Sequence, residues 1–441
     1  MRAAHMETIL IVGGGFTGST LAAALSRRGR TIRVLEARTS DDGMTPGRRP
    51  ARFAGELIHA TGVEVLERYD LLAPLLEAGG VPIDGFAVFA SPEALPTRLP
   101  YPDGGRGLGI DHHRMVAALR AAAARRPGVV LERGARVVDV LREGGRAVGV
   151  RTESGEEHRA DLVLVAEGRH SRMRAALGIA CDATLVSYTA ALKVTNPRLP
   201  VPSAGHIFLG RPGPILAYAI SRDEARLCFD LPEPRHPSEL RAALRALAEN
   251  VPRPLRDDVL AALDGGEPPQ LVANHAMVAR SAVAAGAALV GDAGGCAHPL
   301  TAGGMTLCLN DVQALQALVD GTPASASTLG TSAFLRFDHA HREALRARAA
   351  LTHALYEVFA AEEEGMRALR AAVFEYWTDP RNRAASVALL SGADTRLDHL
   401  AREYARVAWT AVRRRGAPRR AIVNAALGQL RDVAKIIRST V

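Results

Sequence analysis

Short apolar runs and helical stripes alternate from the start of the chain. Residues 9–12, Ile9-Leu10-Ile11-Val12, form an apolar run suited to a buried parallel strand, residues 19–28 read as a helix, and 31–35 as a second strand. The strand-then-turn pattern returns at 162–166 and 287–290, each time followed by glycine and a helix start. Strands separated by helices in this way build a parallel sheet covered on its faces by helices, so the fold class is α/β with a Rossmann-type nucleotide-binding domain. Residues 185–280 change character: 190–194, 206–209, 215–220, 225–231 and 270–277 read as strands between Pro and Gly turns, with helices at 240–247 and 255–263. From 333 onward Ala, Leu and Arg recur at helical spacing. The four parallel strands must converge, which makes the first domain discontinuous, at 6–84, 104–184 and 281–332. The inserted β-sheet domain takes 85–103 and 185–280, and 333–441 forms a helical region with a basic amphipathic end.

The first turn is Gly13-Gly14-Gly15-Phe16-Thr17-Gly18, placed between a strand and a helix as a dinucleotide site requires. Gly13 permits the tight turn, Gly15 lets the backbone approach a pyrophosphate, and Gly18 lets the helix pack closely. Glu36 ends the second strand, where an acid accepts ribose hydroxyls. This end alone leaves nicotinamide open as well as flavin. A second motif separates them: the run 287–292 ends in Asp292, and Pro299 to Gly304 is a Gly-rich loop entering a helix near Met305. An acid at a strand end binds sugar-alcohol hydroxyls, and a helix start offers donors to a negatively polarised ring edge. Those two jobs fit the ribityl chain and isoalloxazine of FAD. Between the two motifs, Glu167-Gly168 follows another strand and leads to a helix carrying Arg172 and Arg174, a third piece of the same site.

These segments resemble the GxGxxG, DG and GD motifs of FAD monooxygenases with the p-hydroxybenzoate hydroxylase-like fold. His298-Pro299-Leu300-Thr301 with Gly303-Gly304-Met305-Thr306 resembles squalene epoxidase in particular. Arg52 with Gly55-Glu56, residues 111–120, 214–220 and 354–359 are similar to family segments in the same order, so the resemblance runs from Ile9 to at least Trp377. It implies that Arg52 and Arg114 touch the flavin region, Asp292 the ribityl and phosphate part, and Met305 the ring side. It also implies an apolar cavity in which a flavin C4a-hydroperoxide passes one oxygen atom from O2 to the substrate, and NADPH as the ultimate electron source, used directly or through a reductase. Four positions depart from the family: Glu167 replaces an aspartate, Ala297 stands where an arginine precedes His-Pro-Leu, and counting from Arg52 the substrate-side glutamine and tyrosine fall at His59 and Phe86. The flavin site is kept and the pocket is rewritten.

The chain has 441 residues, 48% of them apolar, enough for two or three lobes. Cys181, Cys228, Cys296 and Cys308 lack metal-ligand spacing and suit a reducing compartment. His112, His113 and His298 have no spaced partners arguing for a metal. No apolar run approaches the roughly 18 residues of a spanning helix, and the first apolar run is the Rossmann strand rather than a signal sequence, so a cytoplasmic protein is expected. Residues 401–441 hold ten basic and two acidic residues, a balance of +8 that equals the formal net charge of the whole chain. Arg413-Arg414-Arg415, Arg419-Arg420, Arg431, Lys435 and Arg438 are interleaved with apolar positions, a pattern for peripheral contact with an anionic bilayer or for a helix docked with its basic face in solvent. No nucleic-acid-binding module accompanies the charge.

Epoxidation of an isolated alkene needs an apolar pocket and no general base, whereas hydroxylation of a phenol benefits from one. Candidate pocket residues are Phe86, Phe208, Leu216, Tyr218 and Phe229, with His59 as the polar residue able to act as base or hydrogen-bond partner. The substrate expected is a terpenoid or polyene. Oxygenation of a prenylated aromatic or quinolone-like molecule, or reduction or dehydrogenation of a prenyl chain, are the alternatives. A flavin halogenase requires a Trp-x-Trp motif and a catalytic lysine, but only Trp377, Trp409, Lys193 and Lys435 are present.

Overall fold

A computed structural model describes residues 8–40, 57–265, 268–321, 332–360 and 362–439. Its centre is the strand Thr8–Val12, flanked in parallel by Thr31–Glu36 on one side and Leu162–Val165 on the other. Val129–Arg133 extends the first side, and Ala287–Leu289 with the antiparallel edge Val283–Ala284 extends the second, giving six strands. The chain thus leaves the central strand in opposite directions, and a doubly wound sheet opens a ligand crevice at the carboxyl ends where this happens. Ile9 and Ile11 face one core with Ile32, Val34, Leu162 and Leu164, under the helices Phe16–Leu25, His112–Ala124 and Gly304–Gly321. Leu10 and Val12 face the other with Val163 and Val165, where Val140 and Val150 of a small antiparallel sheet cover them. Burial on both faces explains why these runs are apolar throughout rather than alternating. The small sheet, Val137–Glu143, Arg146–Thr152 and Glu157–Arg159, is absent from the sequence reading, although Gly144 and Gly145, both at positive φ, mark its hairpin turn.

The second sheet has eight strands, in the order Gly295–Cys296, Gln270–Ala279, Cys181–Thr195, Glu224–Leu231, Ile215–Ala219, Gly205–Phe208, Gly85–Phe89, Thr97–Pro100. Its faces follow the two-residue period of a strand. Ala87, Phe89, Phe208, Ile215, Leu227 and Phe229 point to one face, which the helices Pro237–Leu247 and Arg253–Gly265 cover. Phe86, Val88, Ile207, Leu216, Tyr218 and Cys228 point to the other. The strand Cys181–Thr195 begins inside the segment assigned by sequence to the first domain. Gly295–Cys296, from the loop after Asp292, pairs with Met277 and Val278, so one edge of this sheet is made by the nucleotide-binding half.

Five helices complete the fold: Ser332–Ala360, Glu364–Tyr376, Pro380–Ser391, Leu397–Arg413 and Arg419–Ser439. Val358, Phe359, Leu369, Tyr376 and Trp377 pack on the second face of the large sheet and roof it. The terminal helix crosses Glu364–Tyr376 closely, because Gly365 has no side chain to strike the Ala421 carbonyl, and Ile422 is buried there. Val423, Leu427 and Leu430, one stripe at helical spacing, stay exposed, as does Trp409 under the Arg413 guanidinium. No described helix is long and apolar enough to cross a membrane.

Candidate active site

A cavity of about 960 Å³ lies where the carboxyl ends of the parallel strands meet the second face of the large sheet. That volume stands near the top of the roughly 300–1,000 Å³ typical of ligand clefts. Gly13, Gly15, Phe16 and Thr17 after the first strand, Glu36 at the end of the second, Glu167 and Gly168 after Leu162–Val165, and Asp292 after Ala287–Leu289 all line it. Pro299, Gly303, Gly304 and Met305 line its other end. Segments nearly 280 residues apart in sequence therefore face one space. Gly291, at φ 61°, sits so close to the first turn that a Cβ there would meet Thr17 Oγ1 at 3.0 Å and Cys308 Sγ at 2.6 Å.

The turn is built by contacts that leave its ligand side open. Gly13 has φ 100°, and a Cβ would strike the Ala166 carbonyl; at Gly18 a Cβ would lie 1.8 Å from the Gly13 carbonyl oxygen. Gly18 is therefore buried beneath the cavity rather than on its wall. At Gly15 nothing lies within 4 Å of where a Cβ would be. Gly15 caps the helix Phe16–Leu25 without a side-chain hydrogen bond, and no acid occupies its first turn. Free amides and an unopposed helix dipole suit a pyrophosphate there. The Gly14 amide donates to Glu36 Oε2 at 2.8 Å and the Arg38 amide to Oε1 at 2.9 Å, while Arg120 Nη2 stands 2.9 Å from Oε2 and Arg120 Nε donates to the Gly14 carbonyl at 2.5 Å. A carboxylate offers about four acceptor sites, so Glu36 keeps room for a ribose hydroxyl after these three.

Arg114, expected near the flavin, is exposed and projects toward Gly79, outside the cavity. The reason is helical phase. His112, Val116 and Arg120 line the cavity at four-residue intervals, and Arg114 is half a turn away. Arg120 is the arginine this helix sends to the turn. Arg52 and Glu56 lie outside the described residues.

Glu167 accepts from Ser171 Oγ at 2.7 Å and from the Met173 amide at 2.9 Å, so its extra methylene reaches the start of the next helix. Arg174, buried, donates to the Ala293 carbonyl at 2.9 Å and ties this segment to the loop after Asp292. The same loop is held from behind. The Gly291 amide donates to Asp311 Oδ2 at 2.8 Å, and His341 Nδ1 lies 2.9 Å from that oxygen. Burial lowers the His341 pKa, yet Asp311, by charge and hydrogen bond, more than reverses this and holds the imidazole above its ordinary value. His298 caps the turn Pro299–Thr301 by accepting the Leu300 amide on Nδ1, and Ala302 follows in the left-handed region at φ 50°. The helix Gly304–Gly321 then begins with no acid in its first turn, so its positive end faces the cavity.

On the substrate side, Leu216 and Tyr218 line the large cavity with Ile207, Pro214 and Leu300. Phe208 and Phe229 do not: strand alternation turns both to the helix-covered face, where they are fully buried. Phe86 and His59 line a small adjacent recess of about 20 Å³ with Leu99, Leu355, Phe359 and Trp377. His59 Nε2 is 2.7 Å from the Thr301 carbonyl and Nδ1 2.7 Å from Tyr101 Oη. A carbonyl only accepts, so Nε2 carries the proton and Nδ1 accepts from the phenol. Burial and, less strongly, Arg348 push the His59 pKa down to about 3. Both ring nitrogens are engaged and the ring is neutral, so His59 braces the loop and is not placed as a base. Sequence reasoning also missed a polar network on the large sheet. Ser187 Oγ is 2.6 Å from Asp230 and 2.7 Å from His298 Nε2, and Asn274 Nδ2 donates to Ser187 and Thr189. Thr189, Asp230, Asn274 and His298 reach the cavity wall.

The family model described as squalene epoxidase matches residues 159–426, and one described as an NAD(P)-binding Rossmann-like domain matches 11–62. Squalene epoxidase 3 of Arabidopsis thaliana is 31% identical over 407 residues, covering 88% of this chain and 75% of its own. Squalene epoxidase erg1 of Schizosaccharomyces pombe is 29% identical over 419 residues, covering 89% and 87%. Among solved structures, p-nitrophenol 4-monooxygenase of Pseudomonas putida DLL-E4 superposes with a TM-score of 0.72 at 17% identity, over 89% of this chain and 100% of that one. A probable FAD-dependent monooxygenase of Pseudomonas aeruginosa gives 0.65 at 21%, over 80% and 97%. These two likenesses concern the fold.

Proposed function

The chain belongs to the squalene epoxidase family, and from that premise we propose that it is an FAD-dependent monooxygenase that epoxidises a terpenoid or polyene alkene. The observation that supports this most is the single cavity joining four strand ends, the Pro299–Thr301 loop and an apolar wall. FAD, when bound, supplies the activation of O2. The protein's part is to hold the pyrophosphate on the amides after Gly15, the ribose at Glu36, the ribityl chain at Asp292 and the ring edge at Gly303 to Met305. Ile207, Pro214, Leu216 and Leu300 exclude water and align the double bond. Alkene epoxidation asks for no positioned base, which agrees with a neutral, doubly tied His59.

The polar group of Thr189, Asp230, Asn274 and His298 on the same wall favours a second reading, a substrate whose prenyl chain ends in a polar aromatic head. The departures at His59, Phe86 and Ala297 make squalene one member of the panel to be tried. Incubation with linear terpenes, squalene and prenylated aromatics under labelled O2, with NADPH and a reductase, should yield a product carrying one labelled oxygen on the chain. An unlabelled reduced or desaturated product would overturn the monooxygenase assignment. NADPH is the ultimate electron source, used directly or through a flavin-reducing partner. Rapid flavin bleaching by NADPH alone would show that partner to be dispensable.

The outward stripe of Val423, Leu427 and Leu430, with Trp409 and the surrounding arginines, fits peripheral contact with an anionic bilayer. Co-sedimentation with vesicles containing anionic lipid should fall on replacing Leu427 and Leu430 by serine, and equal binding by the variant would sink this contact.

A further inference from the structure

Arg348 is 4% exposed, yet no carboxylate among the described residues stands within ion-pair distance of it. Both of its hydrogen bonds leave from Nη1, to Thr301 Oγ1 at 3.0 Å and the Leu390 carbonyl at 2.6 Å. The rest of its guanidinium lies against Gly303, where a Cβ would come 2.4 Å from Cζ, and the side chain lines the cavity. A buried cation without a partner costs free energy unless something negative meets it. Residues 299–304, Pro-Leu-Thr-Ala-Gly-Gly, bring no cation of their own to this loop.

We propose that Arg348 brings a positive charge to this loop from the roofing helix, and that its counter-charge is the negative charge a bound flavin gains on reduction. This rests on the reading that the isoalloxazine edge lies at Gly303 to Met305. The guanidinium then stands beside the positive start of the helix Gly304–Gly321, and the two fields add at one edge of the ring. In a dry, low-dielectric cavity such a pair holds reduced FAD as the anion, so two-electron reduction takes up one proton rather than two. The absence of a side chain at Gly303 lets the cation come this close. Arg348 is a positioning and tuning residue in this role and makes or breaks no bond.

The test uses the full chain loaded with FAD. In R348M the FAD absorbance spectrum and dissociation constant should stay as in the wild type while the flavin midpoint potential moves negative, and R348K should recover much of the shift. A folded, fully loaded R348M with an unmoved potential overturns the proposal, and so does a variant whose only defect is weaker binding of an acidic substrate. Should R348M fail to fold, the wild-type protein decides: uptake of one proton per two electrons at mildly acidic pH supports the assignment, and uptake of two overturns it. A chain that takes up no FAD would instead sink the cofactor placement on which the inference rests.

Discussion

At His59 two hydrogen bonds decide a question that composition leaves open. With Nε2–H held by the Thr301 carbonyl and Nδ1 filled by the Tyr101 hydroxyl, the imidazole can neither accept a substrate proton nor turn. H59Q should therefore lose far less than the roughly 10²–10⁴-fold expected on removing a general base, and its kcat against pH profile should keep the wild-type shape. Loss of the alkaline plateau in H59Q would return the residue to the chemistry. Y101F leaves the buried Nδ1 without a donor and should cost about 1–3 kcal/mol in chemical denaturation. Residue identities in the glycine turn were readable because Gly13, Gly15 and Gly18 act within a few positions of one another. Arg114 and Arg120 were not distinguishable by type, since only the phase of the helix His112–Ala124 decides which one reaches Glu36. Arg348 carried no sequence signal: its partners Thr301 and Leu390 come from two other segments.

At the scale of elements, the strand-to-helix turn separates two kinds of glycine. G18A places a methyl 1.8 Å from the Gly13 carbonyl oxygen and should destabilise the fold by about 1–3 kcal/mol or more. G15A meets nothing in the protein and should melt like the wild type, yet weaken FAD by roughly tenfold or more, about 1.4 kcal/mol, because its methyl enters the space left for the pyrophosphate. Equal FAD affinity in G15A, measured by fluorescence titration, would remove the phosphate from this turn. The parallel strands were legible as continuous apolar runs because both their faces are buried. The strands of the large sheet were legible in position but not in facing, since both of its sides are apolar and Phe208 and Leu216 look alike until the register is known.

For the whole molecule, burial leaves an imprint on acid stability. Burial first, then Arg348, lowers the pKa of His59 to about 3, and burial lowers that of His206 to about 4. Unfolded histidine titrates near ~6.5, so between these values the unfolded chain binds more protons than the folded one. The stability both groups contribute is complete above pH ~6.5 and declines as the pH falls toward 4, each adding about 1.4 kcal/mol per pH unit to the slope. His341 runs the other way, with a raised pKa whose contribution is complete below ~6.5 and is lost as the pH rises from there through its folded value. The apparent Tm should drop on going from neutral pH to pH ~5, and the H59Q/H206N double variant should show a shallower drop. An equally steep profile in that variant would mean that other groups govern acid unfolding.

The short strand Gly295–Cys296 stitches the loop that follows Asp292 to the edge of the large sheet at Met277 and Val278. Anyone grafting a relative's substrate sheet onto this nucleotide-binding scaffold inherits that seam. An exchange of 85–103 and 181–279 would still leave the graft with a foreign border strand, so a working hybrid has to carry residues 295 and 296 along with it.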